Sequence, residues 1–372
     1  MNYFKLQQVF SKHIDTVCNA RFSHDGSKII SSSHDKTIRI WDVESRENTQ
    51  ILRGHSGQIG DAQFSPKDDM IVSCSNDKSL FLWDVSTGKK IKDFVGHSDI
   101  VTTAQFSPDG QIVISSSYDQ TIRIWDILTG REMQKFSYPR YVKDVQFSRD
   151  GQLFVASFAG TVIEIWDFSP DGTYIVSCSD DKQIRLWDIK SQSTLQVMNG
   201  HGDVITDVKF SPDGQTIVSC ANDKTVRLWH AKLGEEMQIL SGHSLPVSGV
   251  DFAPDGNTIV SASCDSTIRL WNTYQHNFYK LHFELKFFLV QSFKPKKKVN
   301  QFKVQKIKIK SIFRPKSTKE CSIRTRCTPF ETLATVSTPL HHSHTLQSLE
   351  TSQTFQGHND KKDVKLNTLK IL

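Results

Sequence analysis

Serine, histidine and aspartate recur together in this chain, and these residue types carry out nucleophilic hydrolysis when they meet at one site. Here a His lies 28 residues before a Trp, an Asp lies six before the Trp, and a Ser lies four before the Asp. A hydrolase needs one triad beside an oxyanion hole, whereas a repeated set is typical of a structural network. We therefore predict that the protein is not an enzyme. The five complete sets are His13, Ser31, Asp35 and Trp41; His55, Ser73, Asp77 and Trp83; His97, Ser115, Asp119 and Trp125; His201, Ser219, Asp223 and Trp229; and His243, Ser261, Asp265 and Trp271.

The elements that position these residues follow from the tryptophans. Successive tryptophans are separated by 42, 42, 41, 21, 42 and 42 residues. A period of about 40–45 residues indicates β-propeller blades of four strands, which bury their faces only against neighbouring blades. Short β-rich runs and Phe-Ser-Pro-Asp-Gly turns, as at residues 106–110, surround the tryptophans, and helical periodicity is absent from this part. We predict an all-β propeller with seven blade positions.

Over about residues 3–273 these repeats resemble the WD-repeat β-propeller family and are similar to G-protein β-subunit-like propellers. The resemblance implies that each set of His, Ser, Asp and Trp is a buried, hydrogen-bonded tetrad that holds a blade together. It also implies a rigid, non-catalytic scaffold that presents loops to peptides or proteins in a multiprotein complex, with no cofactor and no metal. A sixth set, Ser177, Asp181 and Trp187, lacks its histidine.

The residue before each tetrad aspartate is the candidate partner-binding position. In this family the Gly-His loops and the turns with the tetrad aspartates share one rim, so these residues are expected to face a partner lying across the ring. Tyr118 is the strongest candidate because an exposed aromatic side chain is a typical anchor, although Asn and Asp are also ordinary turn residues. The six positions are His34, Asn76, Tyr118, Asp180, Asn222 and Cys264.

The 21-residue step marks a blade that has lost half a repeat, at about residues 142–167. In one threading, residues 162–167 stay the third strand of blade four, and blade five lacks an inner strand. In the other, which we favour, residues 162–168 form the inner strand of blade five, and blade four keeps only its two inner strands. A wrongly joined gene model would leave the same pattern. The residues at the tetrad positions of blade four are Tyr138, Ala156 and Gly160.

The chain ends predict how the ring closes. Residues 3–11 align with the outermost strand of a blade but arrive without a blade of their own, so we expect them to pair with the last blade and leave no open sheet edge. Residues 354–358 also resemble the end of a blade and are a rival closing strand. We predict a propeller over residues 1–272 and a different segment, the tail, over residues 273–372.

Charge separates these two parts. Residues 1–272 hold 27 Lys and Arg against 34 Asp and Glu, a net of −7, and residues 273–372 hold 19 against 6, a net of +13. Residues 294–326 hold 13 basic residues and one acid, which is typical of a weakly ordered segment. The alternative function is therefore a nucleic-acid-associated adaptor that binds phosphates through residues 294–326. The other interpretation of the tail is translated non-coding sequence that follows a lost splice site.

The remaining signals concern location and metals. Seven cysteines without a Cys-x-x-Cys pair favour a reduced compartment, so we expect a cytoplasmic protein, or a nuclear one if residues 295–299 act as an import signal. The N-terminus lacks a signal segment, and charges interrupt the apolar stretch 278–293, so neither secretion nor a membrane span is expected. His341, His342 and His344 have no Cys or acidic partner at ligand spacing, so no metal site is predicted.

Overall fold

The computed structural model describes residues 3–159, 165–274 and 367–369. The chain divides into two compact units, residues 1–275 with 345–372, and residues 276–344, and the second unit lies outside the described residues. The described residues form 27 strands in seven sheets, with no helix among them. This confirms the predicted all-β propeller class.

Six of the seven sheets are four-stranded antiparallel blades, labelled here by their place along the chain. Blade one contains β2 (Val17–Phe22), β3 (Lys28–Ser33), β4 (Thr37–Asp42) and β5 (Asn48–Arg53). Blade two contains β6 (Ile59–Phe64), β7 (Met70–Ser75), β8 (Leu80–Asp84) and β9 (Lys90–Phe94). Blade three contains β10 (Val101–Phe106), β11 (Ile112–Ser117), β12 (Thr121–Asp126) and β13 (Glu132–Ser137).

The later blades follow the same order from the inner to the outer strand. Blade five contains β16 (Ile165–Phe168), β17 (Tyr174–Cys178), β18 (Gln183–Asp188) and β19 (Ser193–Asn199). Blade six contains β20 (Ile205–Phe210), β21 (Thr216–Ala221), β22 (Thr225–His230) and β23 (Glu236–Ser241). Blade seven contains β24 (Val247–Phe252), β25 (Thr258–Ser263), β26 (Ile268–Tyr274) and, from the other end of the chain, β1 (Tyr3–Phe10).

The core lies between blades rather than within them, because every sheet buries both of its faces against its neighbours. Ile38 and Ile40 on the third strand of blade one pack with Phe64 and Trp83 of blade two. The turn before the second strand repeats as well. In blade three the Gly110 amide donates to the Ser107 carbonyl at 2.8 Å, and Gly110 adopts a φ of 69°, a conformation that glycine tolerates without strain.

Strand β1 lies against the third strand of blade seven. It pairs with β26 in antiparallel register from Tyr3 opposite Tyr274 to Phe10 opposite Ile268. Phe4 and Phe10 are buried, and the Phe4 amide donates to the Gln238 side chain at 2.9 Å. The N-terminal residues therefore supply the outermost strand of the last blade. The rival residues 354–358 lie outside the described residues, and the domain boundary at residue 272 stays a prediction.

The seventh sheet is reduced. It contains β14 (Val142–Phe147) and β15 (Leu153–Phe158), with the short strand β27 (Asn367–Leu369) paired in parallel to β15. Strand β16 pairs with β17 as the inner strand of blade five, which confirms the favoured threading for the described residues 165–168. Of the seven predicted blade positions, six hold complete blades among the described residues, and the position predicted to be truncated holds the reduced sheet.

The boundary between β14–β15 and blade five, here called the open seam, is looser than the others. Neighbouring inner strands elsewhere in the ring approach within 8 Å at several positions, whereas β14 and β16 stand further apart. One cause is the side chain of Trp166. It occupies the inner-strand position that Ala or Val holds in the other blades, as at Ala104 and Val208, so a larger group separates the sheets. Trp166 itself is buried against Val155.

Candidate functional site: the tetrad face

The five complete tetrads are hydrogen-bonded chains. In blade two the Trp83 indole donates to Ser73 Oγ at 2.8 Å, His55 Nε2 lies 2.8 Å from the same oxygen, and His55 Nδ1 lies 3.0 Å from Asp77. The other four blades with a complete set repeat these contacts, with His–Ser distances of 2.7–2.9 Å and Trp–Ser distances of 2.8–2.9 Å. Each tetrad thus ties the third strand to the second strand and to the loop that carries the histidine.

The electrostatics favour a neutral histidine. Burial lowers the pKa of His97, and this desolvation outweighs the hydrogen bond to Asp119 and the negative charge of its carboxylate. Burial alone would raise the pKa of Asp119, but hydrogen bonds from Thr121 and His97 outweigh it and bring that pKa to about 2. The consistent arrangement has Ser115 donating to Nε2 and Nδ1–H donating to the carboxylate.

This arrangement does not suit hydrolysis. Ser115 Oγ accepts from the Trp125 indole while it bonds His97, and Ser115 is fully buried. A nucleophile must reach a substrate carbonyl beside an oxyanion hole. The set therefore holds strands together and offers no attacking group.

The structure adds a fifth member that the sequence reasoning missed. A hydroxyl two residues after each tetrad aspartate donates to that carboxylate, as Thr121 does to Asp119 at 2.6 Å. The signal was present in the sequence, because Thr or Ser recurs two residues after the aspartate in every complete set. The hydroxyl residues are Thr37, Ser79, Thr121, Thr225 and Thr267.

The two incomplete tetrads form only the contacts that their remaining residues allow. In blade five the Trp187 indole still donates to Ser177 at 2.8 Å, while Asp181 pairs with Arg185 in place of a histidine. In the reduced sheet, Tyr138 packs against Phe158 with ring centroids 4.7 Å apart, so an aromatic pair stands where a tetrad would form. The third substituted position, Gly160, lies outside the described residues.

The tetrad aspartates also order the surface that we call the tetrad face, formed by the loops with the tetrad histidines and the turns with the tetrad aspartates. Asp77 accepts the Ser56 amide at 2.7 Å, so the turn holds the loop directly. All six rim candidates lie in these turns and are partly or fully exposed, with Asn76 and Asp180 the most open. The Asn76 side chain donates to Gln58 at 2.9 Å.

Tyr118 has an aromatic neighbour that sequence reasoning did not identify. Its ring centroid lies 5.4 Å from that of Tyr141, which belongs to the loop before β14 and is 49% exposed. The two backbone segments are held in place, because the Tyr118 amide donates to the Ile100 carbonyl and the Ala159 amide donates to the Tyr141 carbonyl, both at 2.9 Å. The result is a fixed aromatic pair on the tetrad face, beside the reduced sheet.

The inner strands carry a charged cluster that no sequence motif predicted. Arg21 bonds Asp61 at 3.3 Å, and Lys209 lies 3.9 Å from Asp207. Burial raises the pKa of the Asp144 carboxyl to about 6, against the opposing charge of Lys209. A cavity of about 570 Å³ opens on the face opposite the tetrads, among the prolines of the turns after the inner strands. That face is called the proline face below.

The sequence predictions about metal sites, membrane spans and the basic segment concern mostly residues outside the described ranges. No group of three or more His, Cys, Asp or Glu side chains within residues 3–159, 165–274 and 367–369 could hold a metal ion. Within the same ranges no helix has the length and apolar character that a membrane crossing needs. The basic segment 294–326, the motif at 295–299 and the three clustered histidines near residue 342 lie outside the described residues.

Comparison with known families agrees with this geometry. Six segments match the WD40 family, described as WD domain, G-beta repeat, at residues 4–42, 46–84, 88–126, 165–188, 192–230 and 234–272. They cover more than half of the chain, and the short fourth match begins where β16 begins. The chain belongs to the WD40 repeat family, whose propellers generally act as non-catalytic scaffolds for protein interaction.

Two curated proteins resemble short stretches of the chain. It is 38% identical over 52 residues to "Dynein assembly factor with WD repeat domains 1" of Xenopus laevis, a match that covers 14% of this chain and 12% of that protein. It is 43% identical over 49 residues to "WD repeat-containing protein 18" of Homo sapiens, covering 13% and 11%. The chain therefore matches only about a tenth of the length of each relative.

Proposed function

We propose that this protein is a scaffold whose tetrad face binds a peptide or protein partner, with the aromatic pair Tyr118 and Tyr141 as its anchor. The observation that carries the proposal is the contact between these two rings, in which Tyr141 is 49% exposed and Tyr118 is half-buried, on backbone segments that hydrogen bonds hold in place. Aromatic side chains dominate binding energy at protein interfaces because they bury much apolar area with few rotatable bonds. The partner is expected to lie over blade three and the start of the reduced sheet.

Rigidity supports this assignment. Tyr118 immediately precedes Asp119, whose carboxylate bonds His97, Thr121 and the Ser98 amide. A surface ordered before binding loses less conformational entropy when a partner arrives, so more of the contact energy appears as affinity. The tetrads thus serve binding indirectly, by holding the turns that carry the rim residues.

The test compares two double variants in a quantitative pull-down from a cell extract. Tyr118→Ala with Tyr141→Ala should lose a defined set of captured proteins, because two anchors at typical hot spots contribute roughly 2–4 kcal/mol in all, enough to release a micromolar partner. The matched control is Leu128→Ala with Leu233→Ala, which removes two exposed apolar side chains, 86% and 56% exposed, from turns on the proline face. Melting temperatures should stay unchanged for both proteins.

Either of two results would assign partner binding to a surface other than the tetrad face. If the tyrosine variant keeps every partner, the tetrad face is not the working surface. If only the leucine variant loses partners, the proline face with its cavity is the binding surface instead.

The second candidate function is a nucleic-acid-associated adaptor that uses residues 294–326. Its support is the charge of that segment, 13 basic residues against one acid. It requires nucleic-acid affinity that falls steeply with added salt and disappears when residues 294–326 are deleted, because released counterions drive such binding. A cytoplasmic location, or a nuclear one through residues 295–299, stays a prediction that imaging of the full chain tests.

A further inference from the structure

A buried arginine on blade one has no carboxylate bonded to it among the described residues. Arg39 on β4 is 9% exposed, yet its Nε–H has no hydrogen-bond partner there, and Nη1 reaches only the Asn48 side chain, at 3.4 Å. Burial lowers the pKa of Arg39, the carboxylate of Asp35 opposes this shift only in part, and the positive charge of Arg53 adds to it. A buried cation without a hydrogen-bonded counter-ion is costly, so an anion at this place is favoured.

The equivalent arginines of blades three and six are paired with carboxylates. Arg123 donates through Nη1 to Glu132 at 2.5 Å and through Nε to Thr121 at 3.2 Å. The same contacts recur in blade six, between Arg227, Glu236 and Thr225. The Glu132 side chain is 34% exposed whereas the Arg123 side chain is 9% exposed, so the carboxylate reaches the buried guanidinium from the solvent side.

Blade one lacks this carboxylate because of the residue on its outer strand. The strand register places Asn48 opposite Trp41, at the position that Glu132 takes in blade three. The Asn48 amide donates to two backbone carbonyls, both at 3.0 Å, so only its neutral oxygen is left for Arg39. An asparagine side chain is also one methylene group shorter than a glutamate side chain. The place of the glutamate carboxylate is therefore not filled by residue 48.

A lysine also changes the setting of Arg39. The residue before the tetrad histidine is glycine in blade three, and a Cβ atom added to Gly96 would lie 2.5 Å from Arg123 Nη1. Lys12 holds this position in blade one, so Arg39 cannot lie against the loop as Arg123 does. Lys12 itself bonds Glu47 at 3.1 Å, and the charge of that carboxylate is directed to the lysine.

We propose that Arg39 binds the carboxylate of an acidic side chain that a partner protein supplies in place of the missing glutamate. A guanidinium donates two N–H bonds to one carboxylate, a geometry that favours Asp or Glu over neutral side chains. Arg53, which lies opposite Thr37 on the outer strand, adds a second positive charge. The site lies on blade one and does not depend on the assignment of the aromatic pair, which belongs to blade three and the reduced sheet.

The probe is N-acetylglutamyl amide, which carries the side chain that blades three and six use. Its matched control is N-acetylglutaminyl amide with sodium chloride added to the same ionic strength. The melting temperature of the full chain measures binding, because a ligand that binds the folded protein stabilises it. With a dissociation constant on the order of 10 mM, about 50 mM of the glutamyl compound should raise the melting temperature by about 2 °C more than the control does.

Three variants locate the effect. Asn48→Glu supplies the carboxylate from the chain itself, so it should raise the melting temperature without ligand and abolish the response to the glutamyl compound. Arg39→Met removes the cation and should abolish the response as well. Gln111→Glu adds the same charge as Asn48→Glu at an exposed turn between β10 and β11 of blade three, and it should keep the response. If Asn48→Glu does not fold, Arg39→Met decides.

Two results overturn the proposal. An equal response of the full chain to both compounds would show that no carboxylate is bound. A response that persists in Asn48→Glu or in Arg39→Met would place the carboxylate elsewhere, for example at Arg269 of blade seven, whose Nε also has no hydrogen-bond partner among the described residues.

Discussion

Replacing Trp83 or Trp166 with phenylalanine separates the hydrogen bonding of a tetrad from its packing. Both tryptophans are 1% exposed, so the same truncation removes a similar buried volume from each site. They differ in one respect. The Trp83 indole donates to Ser73 Oγ at 2.8 Å, whereas Trp166 Nε1 has no partner among the described residues.

The magnitude follows from that difference. Trp83→Phe loses a hydrogen bond in a buried chain and leaves Ser73 Oγ short of a donor, at a cost of about 1–2 kcal/mol beyond the packing loss. Trp166→Phe loses packing but removes a buried N–H that made no bond. We expect Trp83→Phe to lower the free energy of unfolding by about 1–2 kcal/mol more than Trp166→Phe, or the melting temperature by about 2–8 °C more.

Urea unfolding followed by fluorescence and circular dichroism measures both values, since six tryptophans remain in each variant. Ser73→Ala is a third variant that should resemble Trp83→Phe, because it breaks the same chain at its centre. Equal destabilisation by the two tryptophan variants would show that the tetrad contributes through packing alone, and the hydrogen-bond argument would fail.

Three further predictions follow from the geometry. Burial lowers the pKa of His97, and hydrogen bonds from Thr121 and His97 lower the pKa of Asp119 to about 2, so the unfolded chain takes up protons at a higher pH than the folded chain. The free energy of unfolding, measured with urea, should therefore fall as the pH drops below about 6.5 and again between about pH 4 and pH 2. An unchanged free energy of unfolding at pH 5 would contradict this. Deleting residues 1–10 removes the outermost strand of the last blade and should speed proteolysis there more than deleting residues 370–372. Arg149→Pro restores the proline found at this turn position in five of the other sheets and should raise the free energy of unfolding by about 0.4–1 kcal/mol, measured by urea unfolding, because proline restricts the unfolded chain.

Much of the fold could be predicted because the sequence features that define it repeat in each blade. The tryptophan spacing and the Phe-Ser-Pro-Asp-Gly turns repeat with the blade, so each copy supports the interpretation of the others. The same regularity identified residues 162–168 as an inner strand, of which residues 165–168 are described, and it predicted that blade four keeps only its two inner strands. It did not predict the strand β27 at residues 367–369, because that segment carries no copy of the repeat.

The candidate site was less predictable, because the contacts that define it join residues that do not recur at equivalent positions from blade to blade. Tyr141 meets Tyr118 only because the loop before β14 lies beside the turn after β11. The charged cluster of Arg21 and Asp61 links different blades, and one chain segment gives no sign of such a contact. The hydroxyl partner of each tetrad aspartate was detectable, because it repeats two residues later in every complete set.

The Trp-Asp dipeptide at residues 166–167 shows that the strand on which a motif lies determines the contacts of its residues. In blade two, Asp84 of the Trp-Asp dipeptide accepts the Thr87 amide at 2.7 Å and caps the turn between outer strands. Asp167 stands on an inner strand, where it accepts the Phe210 amide at 2.8 Å and the Gln146 side chain at 3.2 Å. The same residue type thus bridges the reduced sheet, blade five and blade six.

This bridging explains why the loss of half a repeat leaves a continuous ring. A side chain on the inner strand of one blade accepts a hydrogen bond from a backbone amide on the inner strand of the next, as Gln105 does from Phe147 at 2.7 Å and Asp251 does from Phe22 at 3.0 Å. Asp167 keeps that contact toward blade six, and Trp166 packs against Val155 of the reduced sheet. Among the described residues, the strands missing from the reduced sheet are therefore outer ones. A deletion that removed inner strands instead would have left these amides buried without acceptors, at about 1–3 kcal/mol each.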